Sequence, residues 1–104
     1  MRRYFWSLLA TLPVVAIAQN DTEYRCTLSG AVRRVEVVHL APAPVPCEVR
    51  YHKDTEQPGA AEVLWSARNE VGYCEARANE FVARLESLGW DCRNVADLPA
   101  ATRD

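Results

Sequence analysis

Four cysteines, at positions 26, 47, 74 and 92, constrain this chain more than any of its other features. Neither the Cys-x-x-Cys nor the His-x-x-x-His spacing of metal sites occurs. An even set of cysteines at long range reads as two disulfides. Such bonds persist in oxidising compartments, and the N-terminus supplies a route to one. Arg2 and Arg3 precede a largely apolar run from Tyr4 to Ile17, and Ala16-Ile17-Ala18 has the A-x-A form of a cleavage site. Residues 1–18 therefore read as a secretory signal peptide, with Gln19 as the expected mature N-terminus. The run is shorter than the ~20 residues of a bilayer span and is broken by Pro13. The expectation is a periplasmic or secreted protein with no membrane span after cleavage following Ala18.

Removing residues 1–18 from 104 leaves 86, and losing Arg2 and Arg3 takes the formal charge from −2 to −4. That balance gives no basic field, so no nucleic-acid partner is expected. With 49% hydrophobic and 25% charged residues the chain has the composition of a globular domain. A domain this small buries a modest core, and disulfides make up part of the deficit. Residues 19–96 are expected to form one disulfide-stabilised domain, and 97–104 a polar C-terminal tail.

Side-chain alternation marks the strands. Tyr24, Cys26 and Leu28 alternate with polar neighbours, and Ser29-Gly30 offers a turn. Val35, Val37 and His39 share one face of a second run, with Arg34, Glu36 and Val38 on the other. Pro42, Pro44 and Pro46 forbid regular pairing across 41–46. Cys47 to His52 alternates again, Pro58-Gly59 breaks the chain, and Val63-Leu64-Trp65 makes a fourth strand. Opposed residues must share a sheet face, which pairs Val35 with Tyr51, Val37 with Val49 and His39 with Cys47. The same register sets Glu36 against Arg50 as a favourable charge pair, and the next hairpin sets Val49 against Trp65 and Tyr51 against Val63.

From Asn69, a candidate N-cap with Glu70 in the first turn, the period becomes helical. Cys74, Ala78, Phe81, Val82, Leu85 and Leu88 form one apolar stripe, Glu80 and Arg84 are spaced as an ion pair, and Gly89 stands at a left-handed C-cap. Trp90 to Val95 then returns as a short strand beside strand one. The expected fold is α+β: a four-stranded antiparallel meander, one amphipathic helix packed on it, and a short C-terminal fifth strand.

Path length selects among the three possible disulfide pairings. The helix from Cys74 to Leu88 rises ~21 Å, whereas the return from Leu88 to Cys92 spans at most ~13 Å. A Cys74–Cys92 bond, with Cα atoms within about 7 Å, is therefore disfavoured. In a meander the start of strand three lies beside the end of strand four, where the helix begins. The favoured pairs are Cys47–Cys74 and Cys26–Cys92.

Catalytic signals are weak. Ser29, Ser66 and Ser87 lack a nucleophile-elbow context, and His39 and His52 fall at opposite ends of their hairpin. His39 beside Cys47 imitates a thiol–base pair only if Cys47 is unpaired. Glu36, Glu48 and Glu62 alternate with valines in a way that suits solvated strand faces better than a carboxylate pair. No catalytic residue, metal or cofactor is assigned. Tyr51, Trp65 and Phe81 fall on core faces. Trp90 either plugs the junction of helix and sheet or stands exposed as a binding anchor, and the loop carrying Pro42, Pro44 and Pro46 is either a spacer or a recognition edge.

The segments Pro46-Cys47-Glu48-Val49-Arg50-Tyr51, Leu64-Trp65, Gly72-Tyr73-Cys74 and Gly89-Trp90-Asp91-Cys92 resemble small periplasmic proteins of Gram-negative bacteria with two disulfides. The resemblance spans about residues 24–93 and implies export, with no active-site residue to carry over. Periplasmic lysozyme inhibitors share the size and the disulfide-bonded sheet, but the helix departs from their all-β barrels. The functional expectation is a non-enzymatic binding or inhibitory module whose partner is another envelope or secreted protein, with Pro42, Pro44, Pro46 and Trp90 as contact residues. The alternatives are a structural component of an envelope complex and a small hydrolase or redox enzyme.

Overall fold

The computed structural model describes residues 22–99; the expected signal peptide and its cleavage site lie outside the described residues. Within them, β1 (Thr22–Leu28), β2 (Ala31–His39), β3 (Cys47–His52) and β4 (Ala61–Ala67) form an antiparallel meander. The helix α1 (Tyr73–Ser87) follows, and β5 (Asp91–Asn94) completes one five-stranded sheet in the order β4-β3-β2-β1-β5. A 3-10 turn over Val95–Asp97 follows, capped by the Asn94 side chain, which accepts from the Ala96 N–H at 2.9 Å. No helix among the described residues is long and apolar enough to cross a membrane.

One sheet face is buried. Cys26, Val35, Val37, Cys47 and Val49 are essentially inaccessible, and Ala78, Val82 and Leu85 of α1 cover them. Phe81 meets Tyr51 edge-on at 4.8 Å between ring centroids and Trp65 at 5.9 Å. The β2–β3 register is the one that parity demands: Val35 faces Tyr51, Val37 faces Val49 and His39 faces Cys47. A slip of one residue would turn these valines into water.

The disulfides join Cys26 to Cys92 and Cys47 to Cys74, and no cysteine is free. These are the pairs favoured by path length together with the order of strands in the meander. Cys26 and Cys92 are direct cross-strand neighbours in β1 and β5, while Cys47–Cys74 ties the start of β3 to the first turn of α1. Two closed disulfides in a small domain fit an oxidising, exported setting.

Four local expectations are corrected. Val49 does face Trp65, but a bulge follows on β4, so Val63 opposes Arg50 and Tyr51 opposes Glu62. Leu64 is the inserted residue, and Val63 is left half exposed on the uncovered face. The helix begins at Tyr73, four residues beyond Asn69. The Tyr73 N–H bonds the Glu70 carbonyl in a tight turn, and Gly72, at φ 86°, takes the left-handed conformation that closes it. Glu75, not Glu70, is therefore the acid in the first turn. On the helix surface Glu80 pairs with Arg77 at 3.2 Å rather than with Arg84.

The fourth correction is at the helix C-terminus. Gly89 N–H bonds the Glu86 carbonyl at 3.0 Å and Trp90 N–H bonds the Leu85 carbonyl at 3.1 Å, the paired bonds of a Schellman motif. In that motif the residue after the glycine folds back onto the last turn. Trp90 is accordingly buried at 9% exposure, and Leu88, the C-cap, is 63% exposed. Leu88 leaves the apolar stripe and Trp90 takes over its role in the core.

Candidate functional site

The segment from Leu40 to Pro46 forms an arch between β2 and β3. It is closed at its base by the Leu40 N–H, which donates to the Pro46 carbonyl at 2.9 Å. Just beyond Pro46, Cys47 is pinned twice: by its pairing with His39 and Ala67 in the sheet, and by the bond to Cys74. Pro42 and Pro44 at the crown are exposed, Pro46 at the base is half-buried, and Leu40 is 50% exposed. The turn into α1 reaches the same end of the molecule through Cys74 and displays Val71, at 68% exposure. Rigid prolines, a closed base and a disulfide thus hold exposed apolar groups at one end of the sheet.

Trp90 does not belong to this surface. It lies on the helix C-terminal side, and the guanidinium of Arg33 covers its ring at 4.4 Å from the centroid. Trp90 is therefore corrected from candidate contact residue to core plug. Arg33 shares parity with Val35 and Val37, which puts it on the helix side of the sheet. There it donates to the Tyr51 hydroxyl at 2.7 Å and forms a forked pair with Glu56. The bond to Glu56 holds the Arg33 guanidinium above its ordinary pKa and holds the Glu56 carboxyl below its own. The β3–β4 loop is further fastened by Thr55, whose hydroxyl accepts from the Val32 N–H at 3.1 Å. This cluster closes the end of the molecule away from the arch.

The other candidate side chains are engaged elsewhere. His39 Nε2 bonds Glu75 Oε2 at 3.0 Å, and Cys47 beside it is oxidised, so no thiol–base pair exists. On the uncovered sheet face Glu36 lies opposite Arg50 as expected, yet bonds His52 at 2.9 Å, while Arg50 bonds Glu48 at 2.9 Å. Arg34 forks onto Asp54 at 2.6 and 3.1 Å, and Arg93 bonds Asp91 at 3.0 Å. The hydrogen bond from Arg34 holds the Asp54 carboxyl below its ordinary range. Among the described residues, no group of three or more histidine, cysteine or acidic side chains is arranged to hold a metal ion.

Comparison with family models, with curated proteins and with solved structures returns no match for this chain. Function must therefore be argued from the surface itself.

Proposed function

We propose that this protein is exported, processed after Ala18, and acts in the periplasm or outside the cell as a non-enzymatic binding module. Its arch, through Pro42, Pro44 and Pro46 with Leu40 and Val71 alongside, contacts another envelope or secreted protein. The observation that supports this most is the rigid display of apolar groups. Exposed leucine, valine and proline are held in one place by a disulfide and a closed loop base, so little conformational entropy is lost when a partner covers them. The resemblance to small periplasmic proteins with two disulfides points the same way. Cys47 is closed in a disulfide, His39 is bonded to Glu75, and Glu36 and Glu48 are bonded to His52 and Arg50, which favours binding over catalysis.

Site-specific photocrosslinking in the envelope of the producing cell tests the reading. A benzoylphenylalanine at position 44 is expected to capture one protein species, and one at position 87, on the helix end, is not. Pro44→Ser and Val71→Asp variants that still melt cooperatively are expected to weaken that capture. Equal crosslinking from positions 44 and 87, or none from 44, would overturn the assignment of the arch.

A further inference from the structure

Parity places Arg25 and Thr27 of β1, and Asp91 and Arg93 of β5, on the sheet face that the helix leaves open, because Cys26 and Cys92 between them pack into the core. In the β1–β5 pair Thr27 stands opposite Asp91 and Arg25 opposite Arg93. In the β1–β2 pair Arg25 also stands opposite Arg34. Three arginines thus form one row across three strands, and like charges directly opposed in a sheet are unfavourable. Arg34, at one end of the row, is held by Asp54 and Glu23. At the other end the row borders a groove of about 290 Å³. The 3-10 turn after Asn94 closes with a bond from the Leu98 N–H to the Val95 carbonyl at 3.1 Å. Leu98 and Pro99 then form the apolar wall of the groove, beside Arg25, Thr27, Asp91 and Arg93.

Two guanidiniums against one carboxylate, among the described residues, leave the lining with one positive charge in excess. The groups that face solvent have donors to spare. The side chains of Arg93 and Asp91 are 66% and 62% exposed. Asp91 takes one N–H at Arg93 Nε and one at Nη2. The outer edge of the guanidinium, with one N–H on each terminal nitrogen, is left for a second anion without breaking that pair. Thr27, exposed across from Asp91, adds a hydroxyl, and the half-buried Arg25 adds positive charge beside them. We infer that the groove binds a small amphiphilic monocarboxylate, with its carboxylate on Arg93 and Thr27 and its alkyl or aryl body against Leu98 and Pro99. The single excess charge selects a monoanion, and the forked donors of Arg93 match the two oxygens of a carboxylate. The apolar wall rewards a body that a bare anion lacks. The volume falls at the lower limit of small-ligand pockets, which restricts that body to a short chain or one ring. This site lies on the face away from the helix and does not depend on the arch.

The test is a titration of the purified, disulfide-bonded protein with hexanoate, followed by amide chemical shifts. Hexan-1-ol and acetate are the controls, lacking the charge and the apolar body respectively. Saturable shifts are expected at Thr27, Arg93 and Leu98 with a Kd of about 1 mM or below, the range open to so small a ligand. Neither control is expected to saturate over the same range. Arg93→Gln is expected to weaken hexanoate binding about tenfold or more, as loss of a charge-assisted hydrogen bond does, and Leu98→Ser is expected to weaken it as well. Asp91→Asn, which removes the carboxylate of the lining, is expected to bind hexanoate at least as tightly as the parent, a result that general loosening of β5 would not give. Absence of saturation by hexanoate, equal saturation by either control, undiminished binding to a folded Arg93→Gln or Leu98→Ser variant, or weakened binding to Asp91→Asn would each overturn the inference.

Discussion

Removing the Cys47–Cys74 bridge by the double substitution Cys47→Ala, Cys74→Ala probes both the stability of the domain and the rigidity of the arch. The bond closes a loop of 27 residues, for which the chain-entropy relation gives ~3.5 kcal/mol at 25 °C. The second bridge spans 66 residues, but it encloses the first. With the inner bond in place its effective loop is about 40 residues, which gives ~3.9 kcal/mol on the same relation. Together the bridges supply ~7 kcal/mol, a large part of the 5–15 kcal/mol by which domains are stable, roughly. The inner-bridge variant is therefore expected to remain folded, with its urea midpoint lowered and its unfolding free energy reduced by about 3 kcal/mol. Removing all four cysteines is expected to leave the chain unfolded at 37 °C. Because Cys47 also anchors the arch, the Leu40 amide should lose hydrogen-exchange protection in the inner-bridge variant before the β1–β2 amides do. A stability loss under about 1 kcal/mol, or a cysteine-free chain that still unfolds cooperatively, would refute the view that the bridges offset a core too small to suffice.

Phe81→Ala removes an edge-on contact to Tyr51 and Trp65 from a half-buried position, and should lower the urea-derived stability by about 2–3 kcal/mol, short of a fully buried phenylalanine. Trp90→Ala should cost about 3–5 kcal/mol, whereas Leu88→Lys at the exposed C-cap should change the melt within about 0.5 kcal/mol; equal effects would contradict the Schellman geometry. Asp54 has its folded pKa depressed by Arg34, so the stability it lends is complete above the ordinary carboxyl value and is lost as pH falls through the lower folded one. Urea titrations between about pH 5 and pH 2 should therefore show a shallower acid limb for Asp54→Asn, and an unchanged slope would count against the Arg34 pairing.

Much of this fold follows from side-chain parity. Val35, Val37, Val49 and Tyr51 alternate with a face made of Arg34, Glu36, Val38, Glu48, Arg50 and His52, so only one register buries them without burying charge. Parity fails where the pattern has no phase. Val63-Leu64-Trp65 is apolar throughout, and an edge strand of that kind can absorb an extra residue without exposing more apolar area, which is where the bulge sits. Helix ends are decided by backbone geometry that side-chain periodicity does not see. Asn69 has the right chemistry for a cap, but the turn from β4 needs a left-handed residue, and Gly72 supplies it. Alternation leaves Trp90 undecided between plug and anchor for the same reason. A C-cap glycine followed by a large apolar residue is itself a sequence signal for burial of that residue, and it distinguishes plug from anchor without reference to alternation. Arg33, Glu56, Glu75 and His39 were not legible as partners, because each bond joins elements whose relative placement emerges only once the helix and the β3–β4 loop have packed.

The distribution of charge pairs bears on which surface a partner can cover. On the open sheet face Glu36 and His52, Arg34 and Asp54, Glu48 and Arg50, and Asp91 and Arg93 are already paired with one another. A partner burying that face would have to desolvate these groups while offering them no better bonds, and such exchanges bring little net affinity. Covering Leu40, Pro42, Pro44 and Val71 removes apolar surface from water and leaves few polar groups to re-pair. The open face would then act by steering encounter rather than by holding the complex. For the proposed complex, Arg50→Glu should alter the association rate and its salt dependence while leaving dissociation close to unchanged, and Val71→Asp should speed dissociation. Stopped-flow or surface-binding kinetics with the crosslinked partner separate the two. A dissociation rate raised more by Arg50→Glu than by Val71→Asp would move the contact surface from the arch to the sheet.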